Sequence, residues 1–144
     1  TFHQHYGKDN IIRNNIFAFG AEGAFIISRH EEHNSLTATN NILVTDDAPM
    51  YAFDTKKDWF TDDSNLYWDY SRGGKVLSGN TTAIGERKSL IILTAQGYYN
   101  NAVFKDPLFR DAENRDFTLA ENSPALEIGF KPFSYDAGTL TKFK

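Results

Sequence analysis

All four histidines of the chain lie within its first 33 residues, close to other side chains that bind sugars. His3 and His5 are two residues apart, so they share one face of an extended strand. Imidazoles can hydrogen-bond sugar hydroxyls, and the planar fork of an arginine fits the carboxylate of a uronic acid. The pattern therefore predicts a polysaccharide-binding set consisting of His3, His5, Tyr6, Arg29 and His30.

Acidic residues near this set suggest glycosidic bond cleavage. A glycosidase needs two carboxyl groups roughly 5 to 9 Å apart, one of them protonated. Glu31 or Glu32, together with Asp54 or Asp58, would supply such a pair if they lay on neighbouring turns of a repetitive fold. Under the alternative interpretation these polar residues are solvated corners, and His5 and Tyr6 bond to neighbouring turns.

Metal binding is a weaker interpretation of the same residue types. A zinc site built from the four histidines has no fixed spacing that identifies it. The acidic pairs at 62–63 and 46–47 offer oxygen ligands of the kind that calcium prefers, although such pairs are also common at turns. We therefore predict no cofactor, with calcium as the alternative. Trp59, Trp68 and Tyr70 are either sugar-stacking platforms or packing residues beneath the C-terminal segment.

The elements that must position these residues are indicated by a repeated segment. An Asn followed by two apolar residues occurs at 15–17, 41–43 and 65–67, with steps of 26 and 24 residues. A period of this size in a strand-rich sequence is typical of a solenoid whose turns bury their apolar side chains on one another.

Stacked turns place equivalent residues directly above one another, one strand spacing apart. The three repeated asparagines would then form a ladder of amides at a corner of the stack. The residues that follow them would form an interior aliphatic column of Ile16, Ile42 and Leu66.

The segments between these copies have strand character and carry the predicted site. Residues 24–29 and 49–54 occupy equivalent places, and 1–7 is the same strand one repeat earlier. Counting back twelve residues from each ladder Asn aligns Arg29 with Phe53 and His30 with Asp54.

Five short segments together resemble the C-terminal end of large right-handed parallel β-helix proteins. They are His-Gln-His-Tyr-Gly at 3–7, Asn-Ile-Ile-Arg-Asn-Asn-Ile-Phe at 10–17, Asp-Pro-Leu-Phe at 106–109, Asp-Phe-Thr-Leu at 116–119 and Ser-Pro-Ala-Leu at 123–126. The resembled proteins are secreted bacterial polysaccharide-active proteins of glycoside-hydrolase type.

The resemblance implies an all-β chain, namely a right-handed parallel β-helix of about three turns with an irregular C-terminal cap. It implies a glycoside hydrolase acting on a polysaccharide. A polysaccharide lyase or epimerase on the same fold, or a non-catalytic carbohydrate-binding or capping module, remains open. None of that family's catalytic residues maps onto this sequence.

Two regions are expected within one domain: β-helix turns over 1–72 and an irregular part over 73–144. A short helix, or else a strand, is expected within 86–97, and a second helix should begin with Ser123 as N-cap and Pro124 at the first position. The tail from 130 should lie along the stack and cover its C-terminal end.

The N-terminal turn carries no cap over its apolar end. We therefore expect the sequence to be part of a longer chain, with either preceding turns or a second copy covering that end.

Composition narrows the function classes. The 144 residues carry a net charge of −4 and a pI near 5.5, which argues against nucleic acid as a partner. No run of about 18 apolar residues predicts a membrane span. The absence of cysteine excludes disulfides and thiolate metal sites and fits a bacterial secreted or periplasmic protein.

Overall fold

The computed structural model describes residues 2–29, 31–52, 57–78 and 88–134. Nine short strands within these ranges form three successive repeats of three strands each. The first repeat contains β1 (Phe2–His5), β2 (Asn10–Arg13) and β3 (Ile16–Ala18). The second contains β4 (Phe25–Ser28), β5 (Leu36–Thr39) and β6 (Ile42–Thr45). The third contains β7 (Tyr51–Ala52), β8 (Thr61–Asp63) and β9 (Leu66–Asp69).

The nine strands form three parallel sheets, each with one strand from every repeat. The first sheet has the order β1–β4–β7, the second β2–β5–β8 and the third β3–β6–β9. All pairings between these strands are parallel. The chain is therefore all-β in its regular part, as the sequence predicts.

The register in the third sheet confirms the predicted spacing. Ile16 pairs with Ile42, and Ile42 pairs with Leu66. In the first sheet Phe25 pairs with Tyr51, 26 residues on, so the predicted equivalence of Arg29 with Phe53 is wrong by two residues. The connection from the first sheet to the ladder Asn is two residues shorter in the third repeat, which a count from the ladder cannot detect.

An asparagine ladder fixes the corner between the second and third sheets, as predicted. Asn41 Oδ1 accepts from the backbone N–H of Asn15 at 3.0 Å and from its Nδ2 at 3.3 Å. Asn65 Oδ1 accepts in the same way from Asn41, at 2.7 and 3.0 Å. Asn41 and Asn65 are fully buried, so these bonds satisfy amide groups that water does not reach.

The predicted aliphatic column exists, but it does not face the core between the three sheets. That core contains Leu43 and Tyr67, the alternate residues of the third sheet, with Phe25 and Leu36. The column of Ile16, Ile42 and Leu66 belongs to a second apolar cluster on the other side of the sheet. Ala125 and Phe130 of the C-terminal segment complete that cluster.

Parallel pairing continues beyond the third repeat. Isolated bridges join Asp63 to Asn100 and Leu66 to Val103, so residues 100–103 add to the edge of the second and third sheets. Before them, β10 (Leu77–Ser78) and β11 (Lys88–Ser89) form an antiparallel pair that leads into α1 (Leu90–Ala95). This helix confirms the helical interpretation of this region, and it ends before Gly97, whose φ is +83°.

The C-terminal segment contains a hairpin and a short helix. Strands β12 (Phe109–Asp111) and β13 (Asp116–Leu119) are antiparallel, and α2 covers Pro124–Glu127. Ser123 is the N-cap of α2 and accepts from the N–H of Ala125, as predicted.

The tail lies along the side of the third sheet. Lys131 exchanges two hydrogen bonds with the side chain of Asn14 in the first repeat. The carbonyl of Ile128 accepts from Asn40 Nδ2 in the second repeat. Up to residue 134 the tail therefore runs along the repeats, and 135–144 lie outside the described residues.

Candidate functional site

The outer face of the first sheet presents both N-terminal histidines. Side chains alternate along β1, so Gln4 is buried while His3 and His5 are exposed. In the adjacent strand β4, His3 pairs with Ile26 and His5 pairs with Ser28. The stacking of repeats therefore brings a serine from the second repeat to the two histidines of the first.

The Ser28 hydroxyl holds both imidazoles. His3 Nε2 lies 2.8 Å and His5 Nδ1 lies 3.0 Å from Ser28 Oγ, and the two rings are perpendicular with centroids 6.2 Å apart. A hydroxyl has a single proton to donate, so at least one imidazole must donate to Ser28. This fixes the rings so that His3 Nδ1 and His5 Nε2 are left for a ligand. We call His3, His5 and Ser28 the histidine face.

Tyr6 and Arg29 border the histidine face at a corner of two successive repeats. Both residues are exposed and left-handed, with φ of +63° for Tyr6 and +61° for Arg29. The Tyr6 N–H donates to the carbonyl of Ser28 at 3.4 Å, and its ring lies edge-on to His5 at 5.0 Å. The structure thus brings together His3, His5 and Tyr6, and it places Arg29 directly after Ser28.

The predicted carboxylates do not converge among the described residues. Glu31 and Glu32 are exposed, and Glu31 Oε2 lies 3.8 Å from His33 Nε2. His33 also contacts the carbonyl of Gly7 at 3.1 Å. Asp58 is exposed in a 3₁₀ turn, Lys57–Trp59. The predicted site residues Asp54 and His30 lie outside the described residues.

The acidic pair considered for calcium is divided between two faces of β8. Asp62 is fully buried, while Asp63 is half-buried and accepts from Ser64 Oγ and Asn101 Nδ2. Asp47 of the other pair forms an ion pair with Arg72. These pairs therefore do not form a common site. Within the described ranges no group of three or more His, Asp or Glu side chains is placed to hold a metal ion.

Asp62 instead forms a buried cluster with tyrosines. Tyr67 donates to both of its carboxylate oxygens at 2.6 Å, and Tyr51 donates to Oδ2. Burial raises the pKa of Asp62 from its ordinary value of 3.8 to about 6, although the hydrogen bonds from the tyrosines lower it. Burial and the nearby carboxylate raise the pKa of both tyrosines well above 10, so the hydroxyls remain donors.

A cleft that the sequence did not predict lies between the repeats and the C-terminal hairpin. It has a volume of about 1270 Å³. Phe19, Asp46 and Tyr70 line one side, each following a strand of the third sheet or the residue after it. The hairpin residues around Phe109 and Arg115 line the other. We call this space the hairpin cleft.

Acidic groups predominate in the hairpin cleft. Its lining includes five carboxylates, from Asp46, Asp106, Asp111, Glu113 and Glu121. The lining arginines are Arg110 and Arg115. Residues that build the cleft are spread from 19 to 122 in the chain, so no local pattern marks them.

Two of the aromatic residues predicted as sugar platforms or packing residues pack beneath the C-terminal segment. Trp68 and Tyr70 are half-buried against the second apolar cluster, and Tyr70 also lines the hairpin cleft. Trp59 is half-buried, and its carbonyl accepts from the N–H of Ser35.

No helix in the described part of the chain is long and apolar enough to cross a membrane. No family model, no curated protein and no solved structure matches the chain.

Proposed function

We propose that the chain is part of a secreted, right-handed parallel β-helix protein that binds and cleaves a polysaccharide. Three parallel sheets, each receiving one strand from every repeat, support the architecture. The asparagine ladder supports it further, because such a ladder requires equivalent residues to lie directly above one another.

The histidine face is the observation that carries the binding function. Two imidazoles converge on one hydroxyl and leave one nitrogen each for a ligand, and the exposed ring of Tyr6 lies beside them. Sugars present hydroxyls that pair with such nitrogens and a ring face that packs on an aromatic side chain. Arg29, at the same corner, suits a uronate carboxylate because a guanidinium donates two parallel hydrogen bonds.

Hydrolysis by the whole protein requires two carboxyl groups across the bound sugar. In this proposal Glu31 or Glu32 pairs with Asp54, near the corner that carries Tyr6 and Arg29. A second candidate is carbohydrate binding without catalysis. It is favoured by the position of Glu31, whose carboxylate lies against His33.

Titration with a panel of polysaccharides tests the binding function. We expect one of polygalacturonate, xylan or a β-glucan to shift the imidazole NMR resonances of His3 and His5 and leave those of His33 unchanged. The double variant His3→Ala/His5→Ala should weaken binding by about tenfold, since two hydrogen bonds of about 1 kcal/mol each are lost at most. His33→Ala is the matched control.

Activity assays on the polymer that binds then separate the three outcomes. Release of reducing ends identifies a hydrolase, and absorbance of an unsaturated product identifies a lyase. Binding with neither product identifies the non-catalytic module. If no polymer in the panel binds, or if His33→Ala weakens binding as much as the double variant does, the proposed histidine face is wrong.

A further inference from the structure

The hairpin cleft has the size and lining of a ligand site. Its volume of about 1270 Å³ exceeds that of typical small-molecule pockets, which are roughly 300–1,000 Å³. The repeats supply one wall and the C-terminal hairpin the other, so both walls are parts of the packed fold. A chain of several sugar units fits such a volume better than a single small ligand does.

Aromatic rings on both walls are held in place by one another. Phe19 lies 5.8 Å from Tyr70 and 6.2 Å from Phe117, and Phe117 lies 5.1 Å from Phe109. Three of these rings, from Phe19, Tyr70 and Phe109, line the cleft. Because each ring is fixed by its neighbours, little side-chain freedom is lost when a ligand packs against them.

The Tyr70 hydroxyl keeps its proton. Burial, with a further contribution from Asp106, raises the pKa of Tyr70 to about 12. The side chain can therefore donate a hydrogen bond to a ligand while Asp106 accepts one.

The charge of the cleft selects the kind of ligand. Five carboxylates and two guanidinium groups give its lining a net charge of −3. The arginines already have partners, because Arg110 lies 3.2 Å from Asp116 and Arg115 lies over the Phe19 ring at 4.6 Å. The lining therefore disfavours a uronate and favours a ligand that carries positive charge.

We propose that the hairpin cleft binds an oligosaccharide that carries free amino groups. The aromatic rings pack on the apolar faces of the sugar units, and carboxylates such as those of Asp106 and Glu121 pair with the ammonium groups. The assignment to sugars rests on the proposed function, whereas the preference for a cation rests on the lining of the cleft alone.

Isothermal titration of the full chain tests this proposal with a hexamer of β-1,4-linked glucosamine and its fully N-acetylated counterpart. The titrations are run at about pH 5.5, below the ordinary pKa of an amine and above those of exposed carboxyls. We expect the free amine to bind at least about tenfold more tightly, because each acetyl group removes a charge. The difference should diminish in high salt.

Variants locate the binding. Asp106→Asn/Glu121→Gln should weaken binding of the glucosamine hexamer by about tenfold, since each exposed ion pair contributes modestly. Tyr70→Leu should weaken both hexamers by removing the ring. Glu127→Gln, an exposed carboxylate outside the cleft, is the matched control and should bind as the parent does.

Four outcomes would overturn the proposal. Equal binding of the two hexamers contradicts the role of charge, and equal binding of hexalysine shows that the cleft selects charge without selecting sugar. Binding that is lost in His3→Ala/His5→Ala but kept in Asp106→Asn/Glu121→Gln assigns the sugar to the histidine face, which the proposed function concerns. Absence of binding by both hexamers excludes the amino sugar whatever the histidine face binds.

Discussion

Replacing Asp62 by Asn tests the buried tyrosine cluster most directly. Asp62 lies in the core with 1% of its surface exposed, and the hydroxyls of Tyr51 and Tyr67 both donate to it. The side chain of Asn has nearly the same shape, and it can accept from one tyrosine while donating to the other. The substitution therefore removes the titration with little change in packing.

The sign of the effect follows from the direction of the pKa shift. Burial raises the pKa of Asp62 from 3.8 to about 6, so the folded chain holds this proton more tightly than the unfolded chain does. The resulting stabilisation is complete below about pH 3.8 and is lost as the pH rises through about 6. About two pKa units at 1.36 kcal/mol each give about 3 kcal/mol. Asp62→Asn lacks this loss.

Urea unfolding followed by tryptophan fluorescence, at intervals from about pH 3.5 to pH 7.5, measures the difference. The unfolding free energy of Asp62→Asn, relative to the parent, should rise by about 3 kcal/mol across this range. Tyr67→Phe should act in the opposite direction, because it removes a donor that lowers the pKa of Asp62. Its pH dependence should be steeper than that of the parent. Asp63→Asn controls for net charge.

Parallel stability curves for Asp62→Asn and the parent, within about 1 kcal/mol, would refute this reasoning. They would show either that Asp62 is ionised at no cost in the core or that the unfolded chain keeps the same environment. A Tyr67→Phe curve shallower than that of the parent would contradict the assigned role of the hydroxyl.

Three further predictions concern stability. Gly74→Ala should cost about 3 kcal/mol, because the new Cβ would lie 2.2 Å from Cζ3 of Trp68; Gly73→Ala, with φ also positive but nothing within 4 Å, should cost about 1 kcal/mol, and equal losses in thermal melts would contradict the clash. Asn41→Ala should cost about 3 kcal/mol in urea unfolding because it leaves buried ladder groups unpaired, whereas the exposed Asn15→Ala should cost under about 1 kcal/mol. Asn14→Ala should remove the hydrogen-exchange protection of the Lys131 amide while the amide of Asn41 stays protected; unchanged exchange at Lys131 would exclude the side-chain contact.

The register of the third sheet was predictable because the asparagine ladder imposes it. An amide that bonds the same group one repeat away needs a constant position, so the spacing of the asparagines gives the pairing of Ile16, Ile42 and Leu66. The register of the first sheet was harder to predict, since the connection that follows it varies by two residues. No fixed chemistry holds that connection to one length.

The side on which the aliphatic column lies was not predictable. Strand assignment from sequence relies on alternation of apolar and polar residues, which marks one buried face. In β6, Ile42–Thr45, all four residues are buried, because the core covers one face and the C-terminal segment covers the other. A strand buried on both sides has no alternation, so the pattern does not distinguish its two faces.

The same limit explains the missed site residues. Ser28 was not predicted because its contact with His3 and His5 depends on the pairing of β1 with β4. The hairpin cleft depends on a segment more than 80 residues from Phe19 that returns along the repeats. Residue types with sugar-binding chemistry were recognisable in both places, but their convergence required the tertiary structure.

The two proposed binding surfaces should contribute differently to affinity. The histidine face lies on an exposed sheet, where a hydrogen bond to a sugar replaces one to water and the net gain is about 1 kcal/mol. The hairpin cleft is concave and lined by aromatic rings, so it can remove apolar surface from water at about 25 cal/mol per Å². Contacts on the histidine face are directional and depend on which ring nitrogens are free, whereas ring packing in the cleft tolerates different sugars. For a polymer that reaches both surfaces, we therefore expect the cleft to provide most of the affinity and the histidine face most of the selectivity among neutral sugars.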